Sequence, residues 1–167
     1  MTDPDQPHES LAAHARELLD TNRYLTLGTV TRHGRPWTTP VYFSWSPPWE
    51  FYWLSAADAD HSRNLTARPD VSLTVFDSTV PAYHGQAVYG VGEAREVSAG
   101  SLDEILPRYP GPPSRGGRMI DREDVTGESP WRLYQAVASE LWVLCPGKPG
   151  HSCDLHGITR DHRARIL

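Results

Sequence analysis

The chain has 167 residues, with 16 Lys and Arg against 21 Asp and Glu, a formal net charge of −5 and a mean hydropathy of −0.52. That length suits one domain, residues 1–167, with a single sizeable core, and an acidic balance without a basic tract argues against nucleic acid as a partner. No run of about 18 apolar residues exists to cross a membrane as a helix, and the polar start MTDPDQPHES does not read as a secretory signal, so a cytoplasmic location is expected.

Residues 9–21 place Leu11, Ala15, Leu18 and Leu19 on one helical face, with Ser10 as the N-cap. YLTLGTVT (24–31) alternates and is followed by RHGR and PWTTPVYFSW (36–45), which together predict a β-hairpin with Gly34 at a positive-φ position. Pro36 and Pro40 make the second arm an edge or bulged strand. EFYWLS (50–55) is a third strand, 59–67 a short helix closed by Pro69, and VSLTVFD (71–77) a fourth strand. GQAVYGVGEAREV (85–97) is a long fifth strand whose Gly90 and Gly92 predict a bend or bulge. SLDEILPRY (101–109) starts another helix. Residues 110–130, rich in Pro, Gly and Arg, read as a flexible loop or lid. WRLYQAV and ELWVL (131–137 and 140–144) are read as two last strands, and the tail is basic. Many short strands with few helices predict a mainly β domain, a small antiparallel barrel with appended helices.

Cys145 and Cys153 are the two cysteines, and a cytosolic chain keeps them reduced. Cys145, His151, Cys153 and His156 are soft ligands, but their spacing is not that of a zinc finger. Pro146, Gly147, Pro149 and Gly150 read as a proline-rich surface connection, and no metal site is expected.

The stretch WLSAADADHSRNLTARPDV (53–71) spends some fifteen residues on a connection that a hairpin makes in two. A helix start offers free N–H groups and the positive end of the helix dipole. His61, Ser62 and Arg63 add side-chain donors, so the connection reads as an anion cradle. From His61 and Arg63 alone a solvated helix face is the better reading; the strands around them reverse that order. There is no Ser-His-Asp signature, no convincing carboxylate pair and no P-loop, and no general acid or base is named.

TPVYF, FYWLS, HSRNL, RPDVSLTVFD and GQAVYGVGEAREV, in that order, resemble the pyridoxamine 5'-phosphate oxidase-like FMN-binding split-barrel family. The resemblance covers residues 10–97 well and 130–167 weakly. It implies a six-stranded antiparallel split barrel that forms a homodimer, with FMN in each of two clefts between subunits. Thr39, Pro40, Val41, Tyr42, Phe43 and Ser44 match the strand beside the isoalloxazine ring. Ser55 and Ala56 match the strand end near the ribityl phosphate, His61 stands where a Lys holds that phosphate, and Ser62 and Arg63 follow it. Gln86 and Trp142 match positions near the flavin, and Trp45 or Trp49 are candidates to wall the cleft. No G-x-G-x-x-G fingerprint favours FAD. The implied activity is a flavin-dependent oxidoreductase acting on a small-molecule substrate. The tail carries Arg160, His162, Arg163 and Arg165 but not the family's substrate-phosphate motif, so pyridoxamine phosphate is not assigned. Two alternatives stand. One is a reductase using the deazaflavin coenzyme F-420, with Arg108, Arg115, Arg118 and Arg122 for its acidic tail. The other is a non-enzymatic flavin or haem carrier, with His61, His84 or His151 as ligands.

Overall fold

The computed structural model describes residues 6–145, 150–153 and 156–167. The expected proline-rich connection at 146–149 lies outside them. Helix α1 (Gln6–Thr21) buries Leu11, Ala15, Leu18 and Leu19, the stripe its sequence predicts, against the sheet. Strand β1 (Tyr24–Val30) buries Leu25, Leu27 and Thr29 on alternate positions and turns through Gly34, at φ +82°, into β2 (Pro36–Tyr42). After Phe43 the chain continues as β3 (Ser44–Ser46), then β4 (Glu50–Ala56), helix α2 (Asp60–Ala67), β5 (Asp70–Phe76) and β6 (Ala87–Glu96). Helix α3 (Leu102–Ile105) follows, then β7 (Trp131–Leu144) and β8 (Arg163–Arg165).

All eight strands form one antiparallel sheet in the order β2-β1-β5-β6-β7-β4-β3, with β8 added to β7. β2 pairs with β1 and β3 with β4, so a single passage interrupted at Phe43 supplies both edges of the sheet. That passage curls the sheet on itself into a half-barrel, which hides edges that would otherwise template aggregation. Counted as one, β2 and β3 give the six strands of the split barrel, and β8 is added from the tail.

The two strands read at 131–137 and 140–144 are one. Val91 faces Glu140 and Gly92 faces Ala138, so Ser139 is the extra residue of a bulge; its hydroxyl donates to the Val91 carbonyl at 3.2 Å. A bulge breaks the period-2 pattern without ending the pairing, which is why the sequence pattern stops there. Gly92 is required at this point: a Cβ there would lie 2.1 Å from the Val137 carbonyl oxygen.

A main cluster lies between α1 and the sheet, with Phe43, Phe51, Trp53 and Val143 fully buried. A second joins Tyr52, Leu102, Ile105, Tyr109, Ile120 and Val125. Residues 110–130, expected as a loop or lid, contribute two short 3₁₀ turns and part of this second cluster. Arg115, 6% exposed, donates to the carbonyls of Leu19, Asp20, Asn22 and Phe43 at 2.7–2.9 Å. It thereby satisfies orphan carbonyls at the end of α1 and ties the segment to the barrel.

Candidate functional site

Helix α2 begins where β4 ends. Its N-cap is Ala59, with no side-chain cap, and the first amide to donate back is that of Arg63, to the Ala59 carbonyl at 3.0 Å. The N–H groups of Asp60, His61 and Ser62 therefore point out of the helix start without an acceptor among the described residues. The two flanking candidates are placed differently from a simple cradle. His61 is 6% exposed and its Nε2 bonds the Ser55 hydroxyl at 2.8 Å. Burial pushes its pKa below the ordinary value and outweighs the opposing pull of Asp60, so the ring sits in the fold as neutral imidazole. Arg63 is solvent-facing, its side chain 60% exposed, and bonds Asp60 Oδ1 at 2.7 Å and the Asp58 carbonyl. Ser62 is buried, and Asn64 bonds Thr29 at 3.0 Å, holding α2 on β1.

The β1–β2 hairpin packs beside α2. A cavity of about 190 Å³ between them is lined by Thr31, Arg35, Pro36, Trp37 and Asp60. The Arg35 guanidinium makes no ion pair or hydrogen bond among the described residues. Beside this cavity lies a groove of about 700 Å³ whose lining includes Gly28, Trp37, Thr38, Ser72, Gly92 and Val137. Small-molecule sites are typically about 300–1,000 Å³. Pro36 and Trp37 border both spaces. Trp37, 45% exposed, donates from Nε1 to Thr39 Oγ1 at 3.0 Å, which fixes the indole. The smaller cavity, with one cation, Arg35, and one carboxylate, Asp60, at the helix start, thus adjoins an apolar groove of small-molecule size. Arg35 was missed in the sequence because only the packing of the hairpin on α2 gives it a role.

Of the strand matched to a flavin ring, Val41 and Phe43 point into the core and Ser44 is buried, while Pro40 is exposed. The Tyr42 hydroxyl donates to the Pro110 carbonyl at 2.9 Å. Ala56 is half-buried at the end of β4. Trp45 and Trp49 stack on each other with centroids 5.7 Å apart, and Trp45 bonds Asp20 of α1 at 2.8 Å, so both serve α1 packing.

Trp142 shares a row with Pro40, whereas Gln86 lies elsewhere. The register aligns Pro40, Thr26, Thr74, Tyr89, Trp142 and Arg165 in one outward-facing row. Gln86 precedes Ala87, which faces Phe76 at one end of β5, whereas α2 and the groove adjoin Asp70 at the other end. Six residues of strand separate these ends by about 20 Å. Only Gln86 stands at that far end: the Thr74–Tyr89–Trp142 row is two residues, about 7 Å, along the strands from the Ser72–Val91 row that lines the groove. Arg163 covers Trp142, with its guanidinium 5.7 Å from that ring and 5.5 Å from Tyr89.

The four arginines considered for an acidic cofactor tail are engaged within the chain. Arg108 bonds Glu50 at 2.8 Å, Glu104 at 2.9 Å and the buried Tyr52 hydroxyl at 2.9 Å. Arg115 is buried as described. Arg118 pairs with Asp124 at 3.3 Å and Arg122 with Asp103 at 2.7 Å. Tyr52 also donates to Glu50, and burial followed by that bond raises its pKa.

Sequence spacing argued against a metal site near the C-terminus, yet the fold brings ligand atoms of Cys145, Cys153, His156 and His162 within 4.8 Å of one another. His162 takes the place in this group that the sequence reading gave to His151.

The family model described as pyridoxamine 5'-phosphate oxidase matches residues 11–125. No curated protein matches the chain. Among solved structures, a heme binding protein from Mycobacterium smegmatis aligns with a TM-score of 0.67 and 16% identity, over 99% of this chain and 60% of that one. The heme storage protein HutZ from Vibrio cholerae gives 0.60 and 20%, over 82% and 96%. PhzG from Burkholderia lata, solved with tetrahydrophenazine-1-carboxylic acid, gives 0.58 and 14%, over 86% and 85%. The chain spans 58% of a similar Agrobacterium tumefaciens structure. At these identities the likeness is one of fold.

Proposed function

Because the chain belongs to the pyridoxamine 5'-phosphate oxidase family, we propose that it is an FMN-binding oxidoreductase acting on a small molecule, with the cofactor bound between two copies of the chain. The observation that carries this reading is the junction at Trp37. There an apolar groove of about 700 Å³ meets a smaller pocket formed by Arg35 and the uncapped start of α2. Three backbone N–H groups at the positive end of a helix and the Arg35 guanidinium are donors for a terminal phosphate, and the Asp60 carboxylate in the same cavity is drawn off by Arg63 at 2.7 Å. Arg35 and the start of α2 would hold the phosphate, while Trp37 and Thr38 would border the ring. When bound, FMN supplies hydride transfer at its ring.

Neutral, buried His61 serves a supporting role here. It fixes the turn from β4 into α2 through Ser55, so that the helix start is held in place. Gln86, at the far end of β5 from the groove, and Trp142 under Arg163, four strands from Trp37 in the sheet, would come from the partner copy. The engagement of Arg108, Arg115, Arg118 and Arg122 favours FMN over the longer, acidic F-420.

The test is spectroscopic. The purified full chain should bind FMN, quenching its fluorescence, and Arg35→Ala should weaken binding about 10- to 100-fold, the loss of one charge-assisted contact of about 1.5–3 kcal/mol. A Soret band from bound haem, or no quenching with FMN in excess, would overturn this reading in favour of a carrier of the haem-binding kind.

A further inference from the structure

The geometry points to a tetrahedral zinc site at the C-terminal end of the barrel, with Cys145, Cys153, His156 and His162 as its four ligands. Two separate backbone devices build it. The first is the β7–β8 ladder, which continues past Leu144↔Arg163 into a bond from the Cys145 amide to the His162 carbonyl at 3.0 Å. That bond sets Cys145 and His162 side by side. The second is a tight turn in which the Cys153 amide donates to Ile158 at 2.8 Å and the Gly157 amide donates to Cys153 at 2.7 Å. It presents Cys153 and His156 as a C-x-x-H pair. The two pairs face each other.

Four of the six distances among the ligand atoms lie close to those of a coordination sphere. Cys145 Sγ and Cys153 Sγ lie 3.4 and 3.6 Å from His156 Nδ1. The two sulfurs are 2.9 Å apart, and His156 Nδ1 is 3.1 Å from His162 Nε2. Zn–S bonds of about 2.3 Å and Zn–N bonds of about 2.0–2.1 Å in a tetrahedron require edges of about 3.8 Å for S–S, 3.5 Å for S–N and 3.3 Å for N–N. The two S–N edges to His156 already match, the S–S and N–N edges open by less than about 1 Å, and both sulfurs lie within 4.8 Å of the His162 ligand atom. The group contains two thiols and two imidazoles and no carboxylate, a donor set that selects zinc over calcium, magnesium or manganese.

The outer sphere is also in place. His162 Nδ1 lies 3.1 Å from the Arg160 carbonyl, a contact only an N–H can make. The Nδ1 proton is thereby fixed and Nε2 carries the lone pair that faces the cluster, the arrangement by which metal-bound histidines are oriented. Both cysteines are buried, His162 is half-buried and His156 is exposed. The adjoining cavity of about 60 Å³ has His151 at its rim. Zinc there would clip the tail, with Ala164 and Ile166 in the main core, to the end of β7. It would also hold Arg163, next to its ligand His162, over Trp142.

The test is metal content and cobalt spectroscopy on the full chain, purified without an affinity tag. Elemental analysis should find about one zinc per chain. Removal with a chelator, then Co(II) titration, should give the visible d–d bands of tetrahedral thiolate-bound cobalt, saturating at one equivalent. His162→Ala should lower zinc affinity at least about 10-fold, while His162→Cys should retain it, since Cys₃His is also a zinc set. His151→Ala should leave zinc content unchanged. Two outcomes overturn the proposal. One is a reduced wild-type chain that takes up neither Zn(II) nor Co(II). The other is a Cys145–Cys153 disulfide that is the isolated form even under zinc-replete, reducing conditions. Both are read on wild-type protein and so stand even if a variant fails to fold.

Discussion

His61 shows how one side chain changes meaning between sequence and fold. In the sequence it stands beside Ser62 and Arg63 where a cation for a phosphate is expected. In the structure Ser55 accepts or donates its only side-chain hydrogen bond, and burial disfavours the imidazolium. The sign of the pH dependence follows. A histidine whose folded pKa lies below that of the unfolded chain leaves the unfolded state holding more protons at acid pH. The stability it permits is complete above about pH 6.5 and is lost as pH falls toward the folded pKa, with a slope of at most about 1.4 kcal/mol per pH unit. His61→Gln, which keeps a bond to Ser55 and does not titrate, should flatten that acid limb. Urea midpoints of both proteins from pH 5 to 8, a range set around the histidine pKa, check this. Parallel curves would mean that His61 is not what titrates. Arg35 is the converse case: nothing in RHGR marks one arginine for the phosphate-holding role proposed above, because that role depends on a helix 25 residues later in the chain.

Strands and helices were legible where one period held along the whole element. β1, β4, β5 and α2 fall within one or two residues of where alternation and proline breaks put them. β7 was divided because a bulge at Ser139 shifts the period, and β2 with β3 was read as one because Phe43 bends the strand without changing its pattern. Residues 110–130 were opaque for a different reason. Proline, glycine and arginine signal irregular backbone, and irregular backbone can still be fixed when a buried cation organises it. Arg115 does this through four carbonyls. Arg115→Ala leaves those acceptors short of a donor and should cost at least about 3 kcal/mol, from about 1–3 kcal/mol per buried unsatisfied group. Thermal unfolding measures it. Limited trypsinolysis of the wild type should cut first at Arg118, whose side chain is 75% exposed, and spare Arg115. In Arg115→Ala, cleavage at Arg118 should accelerate. First cleavage of the wild type at Arg115 would contradict the anchoring role.

At the scale of the molecule, the half-barrel places Trp37, on β2, and Trp142, on β7, in one sheet with β1, β5 and β6 between them. The sequence order of the motifs conveyed the barrel, since strand succession and the α2 connection are properties of the chain itself. It did not convey which residues share a site, because that depends on register and, on the proposed reading, on a second copy. A closed point group with two-fold symmetry would bring the Trp37 groove of one copy to the Trp142 row of the other, twice. This has a consequence that a single-chain site lacks. Arg35→Ala and Trp142→Ala should each weaken FMN binding as homogeneous proteins. Mixed, unfolded together and refolded, the two variants should regain binding, because a heterodimer carries one site with both residues intact and one with neither. Random pairing makes half of the dimers mixed, so about a quarter of all sites should recover wild-type affinity. Fluorescence titration of the mixture reads this directly as a tight phase of that amplitude. Should the mixture bind only as weakly as its two components, with no tight phase, Arg35 and Trp142 would not meet across a subunit boundary, and the groove at Trp37 would have to hold its ligand within one chain.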